Sequence, residues 1–203
     1  MDNDRCILRL KGVSKFFPGL KALDQVDFDL HYGEIHALVG ENGAGKSTLI
    51  KIITGVYQPD EGEIFCQDQR VIFANPTVAS RYHIAAVYQQ PASFPHLTVT
   101  ENIFLGHPLI QPQSRRLLWR EMRQQARALL SSLGADVSPT AVMGSLSVAQ
   151  QQMVEIAKAL SINAQILIMD EPTAALTKRE TEDLYAITRK LRDQGTSVIF
   201  ISH

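Results

Sequence analysis

Residues 40–48, Gly-Glu-Asn-Gly-Ala-Gly-Lys-Ser-Thr, carry the strongest chemical pattern in this chain of 203 residues. They fit G-x-x-x-x-G-K-[ST], in which backbone amides face phosphate oxygens and the lysine reaches the β- and γ-phosphates. The serine that follows the lysine is placed to give its hydroxyl to Mg²⁺. We therefore predict a phosphate-binding loop made of Gly40, Glu41, Asn42, Gly43, Ala44, Gly45, Lys46, Ser47 and Thr48.

Two carboxylates follow an apolar segment much further along the chain. Residues 164–169 predict a buried strand that ends in Asp170 and Glu171, and residues 197–201 predict a second such strand. An aspartate in this position helps to hold Mg²⁺, and the glutamate beside it can polarise a water for attack on the γ-phosphate. The alternative is that the pair only prepares a helix start before Pro172.

Two further polar residues also follow predicted strands. Gln89 comes after residues 84–88 and can orient water or ligate the metal through its amide oxygen. His203 comes after residues 197–201 and can donate a hydrogen bond to the γ-phosphate. Because the carboxyl ends of parallel strands form the usual ligand crevice of an open α/β sheet, Gly40, Asp170 and His203 are expected to converge there.

Phe17 and Ser147 each allow two interpretations. Phe17 lies in a predicted turn at residues 14–19, where an aromatic ring can stack on adenine, but Phe16 and Phe17 can equally be core residues. Ser147 and Gln150 form the pattern of a capping box, which begins many ordinary helices. On spacing alone, capping is the preferred interpretation of Ser147.

The remaining elements must position these residues. The phosphate loop lies between a predicted strand at 34–39 and a predicted helix at 47–54 that stops at Gly55; a turn that merely joins the two is the alternative. Alternating patterns predict antiparallel strands at 7–10 and 26–30, and a strand pair follows at 63–66 and 70–73. Helices are predicted at 75–81, 117–133 and 178–193 and from Ser147 to about residue 160, with a helical insertion between core strands from about residue 90 to residue 162.

Composition limits the function classes. A hydrophobic fraction of 45% is enough for one core, and 20 basic against 21 acidic residues give a net charge of -1, which argues against nucleic acid binding. Cys6 and Cys66 form no metal or disulfide pattern, as expected in a reducing compartment such as the cytosol. Without a signal peptide pattern or a run of roughly 18 apolar residues, any membrane association is expected to be peripheral.

Together these motifs resemble the nucleotide-binding domain of an ABC transporter over essentially the whole chain. The resemblance implies an α/β P-loop NTPase core with a mostly parallel sheet, an antiparallel β subdomain and an inserted helical subdomain. It implies one domain over 1–203, with the core at about 1–90 and 163–203 and the helical subdomain at about 91–162. By this resemblance the motifs are the adenine-stacking Phe17, the Walker A loop, the Q-loop Gln89, the signature at 146–152, the Walker B Asp170 with the catalytic Glu171, the D-loop at 174–177 and the switch His203.

Four segments of the sequence are similar to those of bacterial ATPases that power import of ribose, galactose, xylose and related monosaccharides. They are residues 16–24, 40–43, 87–89 and 100–106. That similarity implies ATP hydrolysis with Mg²⁺, held by Ser47, Gln89 and Asp170. The implied partners are membrane permease subunits, a second nucleotide-binding domain paired head to tail, and indirectly a periplasmic sugar-binding protein. Ser147 and Gln150 would then contact nucleotide held by the paired domain, at the cytoplasmic face of the inner membrane, and residues 89–105 would meet the permease.

Two departures from the family pattern are visible. Val148 and Ala149 stand where the signature commonly has glycines, and Thr177 stands where many relatives carry the D-loop aspartate. Because relatives continue past His203, a truncated C-terminus is expected. The alternatives are a soluble ATPase of the same superfamily that is not coupled to transport, and a nucleotide-binding module with little turnover; the sequence does not identify the sugar.

Overall fold

The computed structural model describes residues 5–88 and 93–202. Eight strands and six helices follow one another along these residues, together with a short 3₁₀ helix at Met143–Ser145. They are β1 (Cys6–Phe17), β2 (Leu20–His31), β3 (Ile35–Val39), α1 (Lys46–Ile53), β4 (Glu61–Cys66), β5 (Gln69–Val71), α2 (Pro76–Arg81), β6 (Ile84–Val87), α3 (Val99–Phe104), α4 (Trp119–Ser132), α5 (Val148–Ser161), β7 (Ile166–Asp170), α6 (Lys178–Asp193) and β8 (Ser197–Ser202).

Four strands form an antiparallel sheet in the order β2-β1-β4-β5. The first two strands are much longer than predicted, because irregularities in their register, including one next to Gly12, let the pairing continue past local breaks. The prediction of a turn over residues 14–19 is therefore wrong at its start. Lys15 pairs with Leu23 and Phe17 pairs with Leu20, which leaves only Pro18 and Gly19 between the strands.

The other four strands form a parallel sheet in the order β3-β8-β7-β6. Val39 pairs with Ser202, Ile201 with Asp170, and Met169 with Val87, so the carboxyl ends of all four strands lie at one edge. The predicted α/β architecture, with a parallel sheet and a separate antiparallel sheet, is confirmed. This edge is where the sequence places the phosphate loop and the acidic pair.

The two central strands of the parallel sheet, β7 and β8, are buried on both faces, which explains their unbroken apolar runs. On one face, Leu167 and Met169 pack in a core with α3, α4 and α5. On the other face, Ile166 and Ile168 pack in a second core with α1 and the antiparallel sheet. Alternate residues of β7 therefore face opposite sides of the parallel sheet, so that helices α3, α4 and α5 pack on one side and the antiparallel sheet packs on the other.

The helices follow their capping signals. Helix α6 has the bounds predicted for it, and the Thr177 and Glu180 side chains cap its first turn. Helix α4 is shorter than predicted because Leu117 pairs with Ile110 in an isolated bridge. The six-residue α3 was not predicted, although Thr98 and Glu101 form a capping box at its start. The division into a core and a helical subdomain stays a prediction. Over residues 5–88 and 93–202, no helix combines the length and apolar character needed to cross a membrane.

Candidate nucleotide-binding site

The loop at residues 40–45 connects β3 to α1 at the carboxyl edge of the parallel sheet. The Lys46 ammonium folds back over this loop and donates hydrogen bonds to the backbone carbonyls of Gly40 and Glu41, the second at 3.0 Å. Lys46 is half-buried and Ser47 is exposed. The Lys46 ammonium therefore lies over the loop, and Ser47, the next residue, is accessible to solvent.

The first turn of α1 is built to receive an anion. Gly45 begins the helix in a left-handed conformation, and no side chain among the described residues caps it. Leu49 is the first residue of the helix whose amide bonds back, to the Gly45 carbonyl at 2.9 Å. The amides of Lys46, Ser47 and Thr48 have no carbonyl one turn earlier within the helix. With no acidic residue in that turn, amides and helix dipole together favour a phosphate.

Gly45 is required at its position by close packing. Its φ is +92°, and a Cβ atom there would lie 2.6 Å from the Ala22 carbonyl oxygen and 2.9 Å from Leu23 Cδ2. Strand β2 therefore forms a wall behind the phosphate loop. This contact also brings the tip of the β1–β2 hairpin, which carries Phe17, close to the loop.

Asp170 ends β7, and Glu171 follows it in a different conformation. Asp170 is two strands away from β3, which at the usual spacing of adjacent strands is about 10 Å. The Glu171 backbone has φ +48°, and its amide donates to the Ile201 carbonyl at 3.2 Å. The backbone therefore leaves the extended conformation of β7 at Glu171, directly after Asp170. Both are half-buried on the edge that holds the phosphate loop.

The residues present fit a Mg²⁺ ion that is held jointly with nucleotide. Within residues 5–88 and 93–202, no group of three or more His, Cys, Asp or Glu side chains can hold a metal ion alone. Mg²⁺ typically takes one or two carboxylates together with substrate phosphates and water. Asp170 and the exposed hydroxyl of Ser47 match that donor set.

Phe17 is half-buried at the end of β1, and the exposed fraction of Phe16 is 41%. The alternative that both are core residues is therefore wrong for Phe16. The Phe17 ring meets the Tyr57 ring edge to face, with 5.4 Å between the ring centroids. Sequence reasoning gave no role to Tyr57, since nothing in its local pattern indicates this partner.

Asp60 is a second residue that the sequence analysis missed. Its carboxylate accepts a hydrogen bond from the Phe16 amide at 2.6 Å and one from Lys15 Nζ at 2.9 Å. The Phe16 amide first, and then Lys15, hold the pKa of Asp60 below its usual value. Residues 59–62, Pro-Asp-Glu-Gly, have the composition of a turn, but nothing in this short segment indicates that its aspartate fixes the end of β1.

The capping box at Ser147 is confirmed. The Gln150 amide donates to Ser147 Oγ at 3.3 Å, and the Ser147 amide donates to Gln150 Oε1 at 3.1 Å. Helix α5 packs on α3, α4 and β6, whereas the phosphate loop packs on β2. Val148, next to the cap, is 50% exposed. The structure thus places the signature residues on a separate, accessible helix start.

Gln89 and His203 lie outside the described residues. Their described neighbours, Tyr88 and Ser202, follow or end strands at the carboxyl edge of the parallel sheet. The roles predicted for Gln89 and His203 stay predictions.

A phosphate loop between a parallel strand and a helix, with an aspartate ending a strand of the same sheet, defines a P-loop nucleotide-binding domain. The family model described as ABC transporter matches residues 23–174. The chain belongs to the ABC transporter family, and the predicted fold class is confirmed at this finer level.

Curated relatives are similar along nearly the whole chain. The chain is 49% identical to ribose import ATP-binding protein RbsA 3 of Rhizobium etli, over 97% of this chain and 38% of that protein. It is 50% identical to a putative ribose/galactose/methyl galactoside import ATP-binding protein 1 of Agrobacterium fabrum, over 97% of this chain and 39% of that protein. The chain therefore spans less than half the length of these relatives.

Solved structures show the same fold. A nucleotide-free ATP-binding cassette from an ABC transporter superimposes with a TM-score of 0.85 at 30% identity, covering 98% of this chain and 81% of that chain. A dimeric bacterial ABC transporter cassette superimposes with a TM-score of 0.80 at 28% identity, covering 97% of this chain and 88% of that chain.

Proposed function

We propose that this chain is the ATP-binding part of a bacterial importer, in which ATP hydrolysis drives uptake of a monosaccharide or a related sugar. The observation that carries the proposal is the register of the parallel sheet, which brings the phosphate loop, Asp170 and Glu171 to one edge. The identity to import ATP-binding proteins over 97% of the chain supports the link to sugar import.

In this proposal the loop amides and Lys46 bind the phosphates of ATP. Lys46 already points over the loop, so binding exchanges its bonds to backbone carbonyls for bonds to phosphate oxygens. Ser47 and Asp170, with Gln89, would hold Mg²⁺, and the ion would supply positive charge beside the β- and γ-phosphates. Phe17 stacks on the adenine.

Glu171 accepts a proton from the attacking water. Glu171 leaves the strand in a left-handed backbone conformation directly after Asp170, and in this proposal the two carboxylates take different roles: Asp170 would hold the metal and Glu171 would face the water. His203 donates a hydrogen bond to the γ-phosphate. These roles place the acid-base chemistry at the ends of β7 and β8.

Ser147 and Gln150 act on nucleotide bound by a second domain paired head to tail. The exposed start of α5, away from the loop of its own chain, supports this arrangement, and one of the similar solved cassettes is described as dimeric. The helix start can cap itself and still present amides to a phosphate, since both uses depend on the same dipole. The side chains of Val148 and Ala149 limit how closely that phosphate approaches.

Residues 89–105 are proposed to meet the membrane permease on the cytoplasmic face of the inner membrane. Tyr88 and Leu105 are 37% and 40% exposed and line a cleft of about 450 Å³ between α2, β6 and α5. An apolar cleft bordered by the predicted contact segment suits a protein partner. A periplasmic sugar-binding protein would act on this chain only through the permease.

The test measures ATP hydrolysis by the full-length protein assembled with its permease. Glu171→Gln is expected to lower hydrolysis about 10²- to 10⁴-fold while ATP binding is retained, as expected for loss of a general base. Glu182→Gln, which changes an exposed glutamate of α6, is the matched control and is expected to hydrolyse ATP like wild type. Equal hydrolysis by wild type and Glu171→Gln would show that the assigned base is wrong.

The same assembly identifies the transported sugar and separates the proposed importer from the alternative functions. Purified sugar-binding proteins are added one at a time, and stimulation of hydrolysis by one of them identifies the transported sugar. Wild-type hydrolysis that no binding protein stimulates favours an ATPase not coupled to transport. Tight ATP binding without hydrolysis favours a binding module with little turnover.

A further inference from the structure

The ring of Phe17 has one aromatic partner among the described residues. It meets Tyr57 with 5.4 Å between centroids and 67° between the ring planes, the preferred edge-to-face geometry of aromatic pairs. Tyr57 belongs neither to the phosphate loop nor to the strand that carries Phe17. The contacts that Tyr57 makes with the rest of the molecule therefore decide which elements the Phe17–Tyr57 pair connects.

Tyr57 is fixed to the last turn of α1. The amides of Val56 and Tyr57 both donate to the Lys51 carbonyl, at 2.8 and 2.9 Å. The Lys51 ammonium lies 5.2 Å from the centroid of the Tyr57 ring, within range of a cation–π contact. The first turn of this same helix carries the amides that face the phosphate site. The Tyr57 ring is thus attached to the element that positions the phosphates.

The strand end that carries Phe17 is fixed to the segment just after Tyr57. The Asp60 carboxylate accepts from the Phe16 amide at 2.6 Å, and the Asp60 amide donates to the Ser14 carbonyl at 2.9 Å. Lys15 pairs with the same carboxylate, and its ammonium lies 5.8 Å from the Phe17 ring centroid. The Asp60 amide and carboxylate therefore hold the end of the strand, while the Tyr57 ring and the Lys15 ammonium contact the Phe17 side chain.

We propose that Tyr57 is a positioning residue for nucleotide binding: by holding the Phe17 ring, it fixes the distance between the adenine platform and the phosphate loop. This inference rests on the proposed adenine-stacking role of Phe17. The base and the triphosphate are covalently linked in one flexible ligand, so both ends bind together with the least loss of conformational freedom when the two sites already keep a matching separation. Tyr57 supplies that match because it is joined to α1 on one side and to Phe17 on the other.

The proposal predicts a difference between two ligands. ATP uses both the platform and the loop, whereas inorganic tripolyphosphate carries the phosphates without the base. Loss of the Tyr57 ring should weaken ATP binding about two- to tenfold, the range expected for one aromatic pair, and should leave tripolyphosphate binding unchanged. A role for Tyr57 in general stability would affect both ligands equally.

The experiment measures dissociation constants for ATP and for inorganic tripolyphosphate on the full-length protein, by calorimetric titration in the presence of Mg²⁺. The variants are Tyr57→Ala, Tyr57→Phe, Phe17→Ala and the double variant. Tyr82→Ala is the matched control, because the Tyr82 ring meets Phe73 with nearly the same geometry, 5.6 Å and 68°. The readout is the ratio of the two dissociation constants.

Support requires that Tyr57→Ala changes this ratio two- to tenfold, that Tyr57→Phe restores it to within twofold, and that Tyr82→Ala leaves it unchanged. The double variant should bind ATP no more weakly than Phe17→Ala alone. If Phe17→Ala changes the ratio and Tyr57→Ala does not, the positioning role is wrong while the proposed function stands. If Phe17→Ala leaves the ratio unchanged, the adenine role of Phe17 is wrong, and the role of Tyr57 is wrong with it. Failure of the wild-type protein to bind ATP would overturn the proposed function itself.

Discussion

Gly45 offers the sharpest test of how the phosphate loop is built. Its φ of +92° costs an L-residue about 1–2 kcal/mol. An alanine methyl there would lie 2.6 Å from the Ala22 carbonyl oxygen, and relieving such an overlap typically costs about 1–3 kcal/mol. Gly45→Ala is therefore expected to lower the free energy of unfolding by about 2–5 kcal/mol.

Gly43→Ala is the matched control, since it changes a second glycine of the same loop. Its φ is +86°, and a Cβ atom there meets no described atom within 4 Å. The control keeps the backbone strain and lacks the overlap, so its expected cost is about 1–2 kcal/mol. The difference between the two variants isolates the contact with β2.

The assays are urea unfolding and ATP titration. Moving the loop away from β2 displaces the amides of Lys46 and Ser47, and losing one hydrogen bond to a charged phosphate should weaken ATP binding by Gly45→Ala about tenfold or more. Equal destabilisation by Gly45→Ala and Gly43→Ala would refute the reasoning, because the close approach of the loop to β2 would then contribute nothing.

Three further predictions concern other parts of the chain. Asn102→Ala should lower the free energy of unfolding by about 2–4 kcal/mol. The buried Asn102 side chain accepts a hydrogen bond from the Phe94 amide at 2.7 Å and donates to the Phe94 and Thr98 carbonyls, and all three bonds would be lost. Urea unfolding measures the change, and a loss below about 0.5 kcal/mol would contradict the prediction. The pKa of Asp60 is lowered in the folded state, so the stabilising effect of its carboxylate is present above the unfolded pKa and is lost as pH falls through the folded pKa. The difference in unfolding free energy between wild type and Asp60→Asn should therefore shrink on acidification. A difference that stays constant with pH would speak against this linkage. Asn75→Ala removes the side-chain cap of α2, in which Asn75 Oδ1 accepts a hydrogen bond from the Val78 amide at 3.0 Å. The free energy of unfolding, measured in urea, should fall by about 1 kcal/mol. An unchanged free energy would show that the cap does not stabilise the protein.

Local patterns in the sequence identified several elements whose causes are local, although the capping box that begins α3 was overlooked. The capping box at Ser147 and the bounds of α6 depend on local residue patterns, so they could be predicted directly. The phosphate loop is likewise a short motif whose own backbone supplies the binding amides. The assignment of Asp170 to the end of a buried strand needed only the apolar run before it.

Other features depend on partners far along the chain. Strand β1 runs to Phe17 because β2 continues to pair with it past register breaks, which no local alternation indicates. Asp60 fixes Phe16 across 44 residues, and the partner of the Phe17 ring is Tyr57, on the far side of the phosphate loop. These contacts form only when the sheet and α1 pack together.

The chain's own residue order was thus sufficient to predict a triphosphate site and to name the groups that are expected to contact phosphate, metal and water. The tertiary structure alone decided that β8 lies between β3 and β7, and that the Phe17 ring meets Tyr57, which follows α1. The physical reason is that a motif determines the conformation of its own backbone, whereas strand order and ring contacts are decided by which distant surfaces bury each other.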